Sequence, residues 1–132
     1  MVCHTLSRLF PEVGDDERIV AILHDTLEDT PVTYDFLREA GFDDGVLSML
    51  SILTRDKKVA YSDYISGIIK TGNGGAIRVK CADAMVNWQN CWSNDAKKSL
   101  RNRYGRSYTD LIFSANQLDR KALLERLDTR PE

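Results

Sequence analysis

The sequence predicts an all-α protein, a compact multi-helix bundle. Apolar residues recur at spacings of three and four through most of the chain, and no segment alternates convincingly with period two. Acidic or capping residues stand where those patterns begin, and proline or glycine where they stop. At 132 residues the chain is long enough for one domain with a core and too short for two, so a single domain over 1–132 is expected.

His4 sits on a first helix. A second starts at the acidic Asp15-Asp16-Glu17, which suits a helix N-terminus, and its stripe is Ile19, Val20, Leu23 and Leu27. Thr30-Pro31 ends it, because the residue before proline avoids the helical region. Thr33 can cap a short helix from Tyr34 to Ala40, stopped by Gly41. Asp43 or Asp44 can cap the next, whose stripe is Val46, Leu47, Leu50 and Leu53. Ser62 to Ile69 forms another, ended by Thr71-Gly72-Asn73-Gly74-Gly75. That glycine-rich stretch lacks the GK[ST] ending and the preceding strand of a phosphate-binding loop, so it reads as a helix stop and start. A longer helix runs from Ala76 to Trp92 with Ile77, Cys81, Ala84, Met85 and Trp88 on one side, and helices over Ala96 to Ala115 and Arg120 to Leu127 complete the bundle.

Composition narrows the partners. The 18 basic and 20 acidic residues leave a formal charge of −2, with no basic excess to suggest nucleic acid or an anionic membrane. No apolar run approaches the roughly 20 residues that span a bilayer. Cys3, Cys81 and Cys91 form an odd set with no CxxC spacing, and there is no signal-peptide pattern, so a cytoplasmic protein without disulfides is expected. Cys81 reads as a small core residue, Trp88 and Trp92 as core or cleft wall, and Tyr61 and Tyr64 as packing residues.

The chemistry gathers in "ILHDTLEDT", residues 22–30. On a continuous helix His24 lines up with Glu28, and Asp25 with Glu28 and Asp29. Adjacent His24 and Asp25 diverge by about 100° around the axis, so they share one ion only at the helix edge, with other ligands arriving from elsewhere. The one other histidine is His4. Asp83 is the sole acidic residue of "RVKCADAMVN" and stands beside the apolar stripe, with Asn87 one turn later. An inward carboxylate needs a cation or hydrogen-bond partners. The residues alone also allow His24-Asp25 as a surface pair, Glu28-Asp29 as solvated charge, and Asp83 as the partner of Lys80 or Arg78.

Taken together, "AILHDTLEDTPVTYDFLREAGF", "SMLSILTR" and "AIRVKCADAMVN" resemble the HD superfamily of metal-dependent phosphohydrolases, which has an all-α fold. The resemblance is closest to the RelA/SpoT-type hydrolase domains and their small stand-alone relatives, and covers residues 4–90. It implies a metal-dependent phosphohydrolase acting on a nucleotide, with guanosine 3′,5′-bis(diphosphate) 3′-pyrophosphohydrolase as the named activity. Carried over by position, it makes His4, His24, Asp25 and Asp83 the ligands of a divalent metal, manganese in the family. Donor type alone suits manganese, iron, zinc, cobalt and magnesium. It makes Glu28 and Asp29 the pair that positions or deprotonates water, and Asn87, Lys80 and Arg55 the substrate contacts. The alternatives are hydrolysis of another nucleotide phosphate and a non-catalytic nucleotide- or metal-binding module. The family's helix and Arg-Lys…Gly…Tyr loop before the first histidine, much of its guanine pocket, have no counterpart ahead of His4. Thr5 follows that histidine where proline is usual, and Cys81 replaces an aliphatic residue. Apolar surface left uncovered by the absent segment favours a homo-oligomer or a rearranged N-terminus.

Overall fold

The structure, a computed structural model, describes residues 2–128, with every side chain among them except those of Glu28, Leu123, Arg126, Leu127 and Asp128. The helices are α1 (Val2–Leu9), α2 (Asp15–Leu23), α3 (Thr26–Asp29), α4 (Tyr34–Glu39), α5 (Asp44–Leu53), α6 (Tyr61–Lys70), α7 (Gly74–Ser93) and α8 (Arg101–Asp128), with a 3₁₀ turn over Asp95–Leu100. There is no strand among the described residues, and the protein is all-α. No helix among them is long and apolar enough to cross a membrane.

The capping residues act as their types require. Thr33 accepts from the Phe36 N–H, Asp43 from Val46 and Asn73 from Ala76. Gly41, at φ +100°, turns the chain after α4 through a conformation that a side chain would resist.

α7 is the axis of the fold. It packs against α1, α2, α5, α6 and α8. Ala76, Ile77, Val79, Cys81, Ala82 and Ala84 are fully buried, so its first half is covered on several sides rather than along one stripe, with Arg78, Lys80 and Asp83 paired between them. The alanines let neighbouring backbones approach closely. Leu6 of α1, Val20 of α2, Leu50 of α5, Ile68 of α6 and Leu111 of α8 close around it. Arg78 of α7 donates to both Glu17 oxygens on α2, at 2.8 and 3.0 Å, and to Asp119 of α8 at 3.3 Å, so one guanidinium ties three helices.

Two elements differ from the sequence expectation. The helix read as continuous from Asp15 past Leu27 breaks after Leu23, and Thr26–Asp29 forms a separate turn. The two helices expected over Ala96 to Ala115 and Arg120 to Leu127 are one, α8, preceded by the tighter 3₁₀ turn. Asn116 to Asp119 is polar but contains no glycine or proline, and Leu118 packs against the core, so nothing stops the helix there.

Candidate metal centre

The break between α2 and α3 builds the site. In an uninterrupted helix the Ala21 carbonyl would accept from the Asp25 N–H. Here it accepts from the His24 ring, Nδ1 to oxygen 2.8 Å. Asp25 takes φ −89° and ψ −9°, the sparsely allowed bridge region where turns and active-site residues often sit. The divergence of about 100° between adjacent helical side chains is thereby overcome. His24 Nε2 lies 3.2 Å from Asp25 Oδ1, and 3.3 Å from Asp83 Oδ1 on α7.

The tautomer follows from the carbonyl. A carbonyl only accepts, so Nδ1 carries a proton, and in the neutral ring Nε2 is a bare lone pair facing two carboxylate oxygens. That arrangement needs positive charge between nitrogen and oxygens. Nε2 is buried, and neither oxygen meets it in good hydrogen-bond geometry. Burial pulls the imidazole pKa down, but the hydrogen-bonding reach and charge of Asp83, the Ala21 carbonyl and Asp25 outweigh it and leave the pKa raised. Burial pushes the Asp83 carboxyl up. His24 and Lys80 overcome that and hold it at about 2.

Lys80, one helical turn before Asp83, donates to Asp83 Oδ2 at 2.7 Å, and both side chains are nearly buried. Its burial lowers the ammonium pKa, but Asp83 and the nearby Tyr64 and Tyr61 leave it raised. Of the two partners open to Asp83 in the sequence, Lys80 is the one taken, since Arg78 is bound to Glu17 and Asp119.

An imidazole nitrogen and two carboxylate oxygens are donor types that a first-row divalent ion accepts. Bonds of about 2.1 Å at right to tetrahedral angles hold neighbouring ligand atoms about 3.0–3.4 Å apart. The two nitrogen–oxygen separations fall in that range. The cavity bounded by His24, Asp25, Leu53, Tyr64, Lys80 and Asp83 has about 20 Å³, room for one ion or water. Asp25, 65% exposed, leaves one side open to solvent. Among the described residues, however, no three His, Cys, Asp or Glu side chains are grouped so that they could hold a metal ion, and Lys80 occupies the second Asp83 oxygen.

The other expected site residues fall around this centre or away from it. His4 is exposed on α1 and does not line the cavity. Residues two apart on a helix point about 200° from each other, so burial of Leu6 turns His4 outward. Glu28 and Asp29 lie on the backbone of α3, directly after Asp25. Asp29 is exposed, and the Glu28 side chain lies outside the described residues. Asn87 is half-buried one turn beyond Asp83 on α7. Arg55 follows α5, donates to the Val59 carbonyl at 3.2 Å, and holds its guanidinium 5.3 Å from the Tyr61 ring centroid. Tyr64, a packing residue by its sequence pattern, also walls the cavity, and its hydroxyl donates to the Leu53 carbonyl. Its spacing of three from Tyr61 was the only sequence signal that the two share a face.

A groove of about 610 Å³ beside Phe10 and Arg78 holds no comparable chemistry, because its guanidinium already has two carboxylate partners. No protein-family profile matches the chain, and no curated protein matches it.

Proposed function

We propose that the protein is a metal-dependent phosphohydrolase acting on a nucleotide, with guanosine 3′,5′-bis(diphosphate) as the named substrate. The observation that carries this reading is the His24 ring. Its Nδ1–H is fixed by the Ala21 carbonyl, and its Nε2 faces one oxygen each of Asp25 and Asp83. An imidazole oriented by a carbonyl and aimed between two carboxylates is a common metal-ligand arrangement. His24, Asp25 and Asp83 would hold the ion, manganese by the family resemblance. When bound, the ion supplies charge for phosphate oxygens and lowers the pKa of a coordinated water. His24 and Lys80 hold the Asp83 carboxyl at about 2, so it carries the negative charge that a cation would need. Glu28 and Asp29 are in reach by sequence, in the single turn after Asp25, to orient a water or take its proton.

The test combines metal analysis of protein purified without chelator with a phosphate-release screen across nucleotides. Glu28→Gln should keep its metal and lose about 10²–10⁴-fold in turnover, the usual range for a general acid–base residue. Asp25→Asn should lose metal and activity together, since a neutral amide is a poor ligand for a hard ion. Normal turnover by Glu28→Gln would sink the assigned roles. A second reading, a nucleotide-binding module without turnover, draws support from Lys80, whose ammonium already neutralises Asp83. Nucleotide binding with no metal uptake and no phosphate release would establish it.

A further inference from the structure

Two aromatic rings stand exposed on adjoining helices, Trp92 of α7 at 61% and Phe113 of α8 at 65%. Between the helices runs a groove of about 580 Å³ whose lining includes Trp88, Trp92, Asn102, Gly105, Arg106 and Asp110. It lies across α7 from the His24–Asp83 centre, because Trp88 and Trp92 stand about 140° and 180° around the helix from Asp83. Its walls are fixed. Trp88 stacks on Tyr108 with ring centroids 6.1 Å apart. Gly105 makes room for it, since a Cβ there would meet the indole nitrogen at 3.3 Å. The Arg101 guanidinium lies 4.2 Å over the Trp92 ring and donates to the Cys91 carbonyl and to Asp95. A preformed groove costs little ordering to fill.

The charges at its border select the occupant. Arg106 and Asp110 stand one turn apart on α8, both exposed, and neither has an ion pair among the described residues. Asn102, Arg106, Thr109 and Phe113 follow at intervals of four, three and four, so they share the outer face of α8. Thr109 turns its hydroxyl back to the Gly105 carbonyl at 2.8 Å, which leaves no unmet donor in the middle of that face. A two-fold interface needs a patch complementary to itself. Two copies of α8 laid antiparallel about an axis beside Thr109 meet that need. Arg106 of each comes level with the partner's Asp110, and Phe113 with the partner's Gly105, to within about one residue's rise of 1.5 Å. Other registers fail on charge. An axis at Phe113 would set Arg106 against the partner's Arg120, and parallel packing would set each Arg106 against its own copy.

We propose that this face is the interface of a two-fold homodimer, in which Phe113 of each chain enters the partner's Trp88–Trp92 groove and Arg106 pairs with the partner's Asp110. An exposed ion pair adds little affinity but fixes register and partner. The rings supply the affinity. The dimer does not depend on the phosphohydrolase reading, since the groove and the metal centre occupy different sides of α7.

Sedimentation equilibrium of the full chain tests this. Wild type should be dimeric by about 0.1 mM, the affinity of a weak but specific pair. Phe113→Ser should weaken the dimer at least about thirtyfold, the mark of an interface hot spot. Arg106→Glu and Asp110→Arg should each be monomeric, because each sets like charges face to face. The double variant, Arg106→Glu with Asp110→Arg, should dimerise again. An equimolar mixture of the two single variants should form a one-to-one heterodimer, which a misfolded variant could not do. A wild type still monomeric at about 0.1 mM overturns the proposal and leaves the groove to a different macromolecule. Dimers that persist in both single variants would place the interface elsewhere and overturn it too. Single variants that stay monomeric when mixed would overturn the antiparallel register, and with it the pairing of Phe113 and groove.

Discussion

His24 and Asp83 set how the metal-free protein responds to pH. Asp83 has its pKa held at about 2 against an ordinary 3.8, so its contribution to stability is whole above 3.8 and drains as pH falls towards 2. His24 has its pKa raised above 6.5, so its contribution is whole below 6.5 and is lost as pH climbs through the higher folded value. Both are present together between about pH 4 and pH 6.5, the window these two groups define. The Asp83 shift, at about 1.4 kcal/mol per pH unit, corresponds to about 2 kcal/mol. Thermal melts of chelator-treated protein should therefore peak in that window and decline on both sides. Asp83→Asn should melt lower, and its decline above pH 6.5 should vanish, because a buried imidazole without its carboxylate is better off neutral. A mutant profile parallel to wild type would show that the pair contributes nothing. Asp83 was legible in the sequence as a lone carboxylate beside an apolar stripe. Arg106 was not: nothing local distinguishes it from Arg101 or Arg103, and only the packing of α8 against α7 brings it to the Trp88–Trp92 groove.

Helix starts were the most readable elements, because a cap is a local device. Asp43 and Thr33 each satisfy an N–H three residues on, as their side chains dictate, and Asn73 does the same from within a glycine-rich stretch that the sequence marks only as a helix stop and start. Removing one should cost what a cap is worth. Asp43→Ala should lower stability by about 1 kcal/mol in denaturant titration, with the slope unchanged because the exposed area is the same. An unchanged midpoint would mean that water replaces the carboxylate at no cost to α5. The break after Leu23 was not readable. Apolar spacing continues smoothly from Ile19 to Leu27, and no glycine or proline intervenes. The interruption comes from His24 taking the Ala21 carbonyl, and from α7 presenting Asp83 where the ring can meet it. A side chain competing for backbone is a tertiary effect, and helical periodicity carries no trace of it.

Across the whole molecule, the burial of α7 was only half visible. Its stripe of Ile77, Cys81 and Ala84 was plain, but the equal burial of Val79 and Ala82 on other faces depends on how many helices surround it. His4 illustrates the converse. The resemblance gave it a ligand's place, but its outward direction follows from Leu6 being the residue that α1 buries.

The ammonium of Lys80, tethered beside Asp83 by its own backbone, competes for that carboxylate with every ion in solution. Tethering gives it an effective concentration of millimolar or more that dilution cannot lower. A potassium or sodium ion arriving there would replace one positive charge with another and surrender its hydration, so it gains nothing. An ion of twice the charge still gains attraction from His24's two carboxylate neighbours after the lysine has moved aside. In the proposed metal centre Lys80 would therefore act as a valence filter against the abundant monovalent ions. Lys80→Met should make the melting temperature of the metal-free protein rise with potassium chloride, where wild type does not. Identical salt responses in the two proteins would leave the lysine as a plain ion-pair partner.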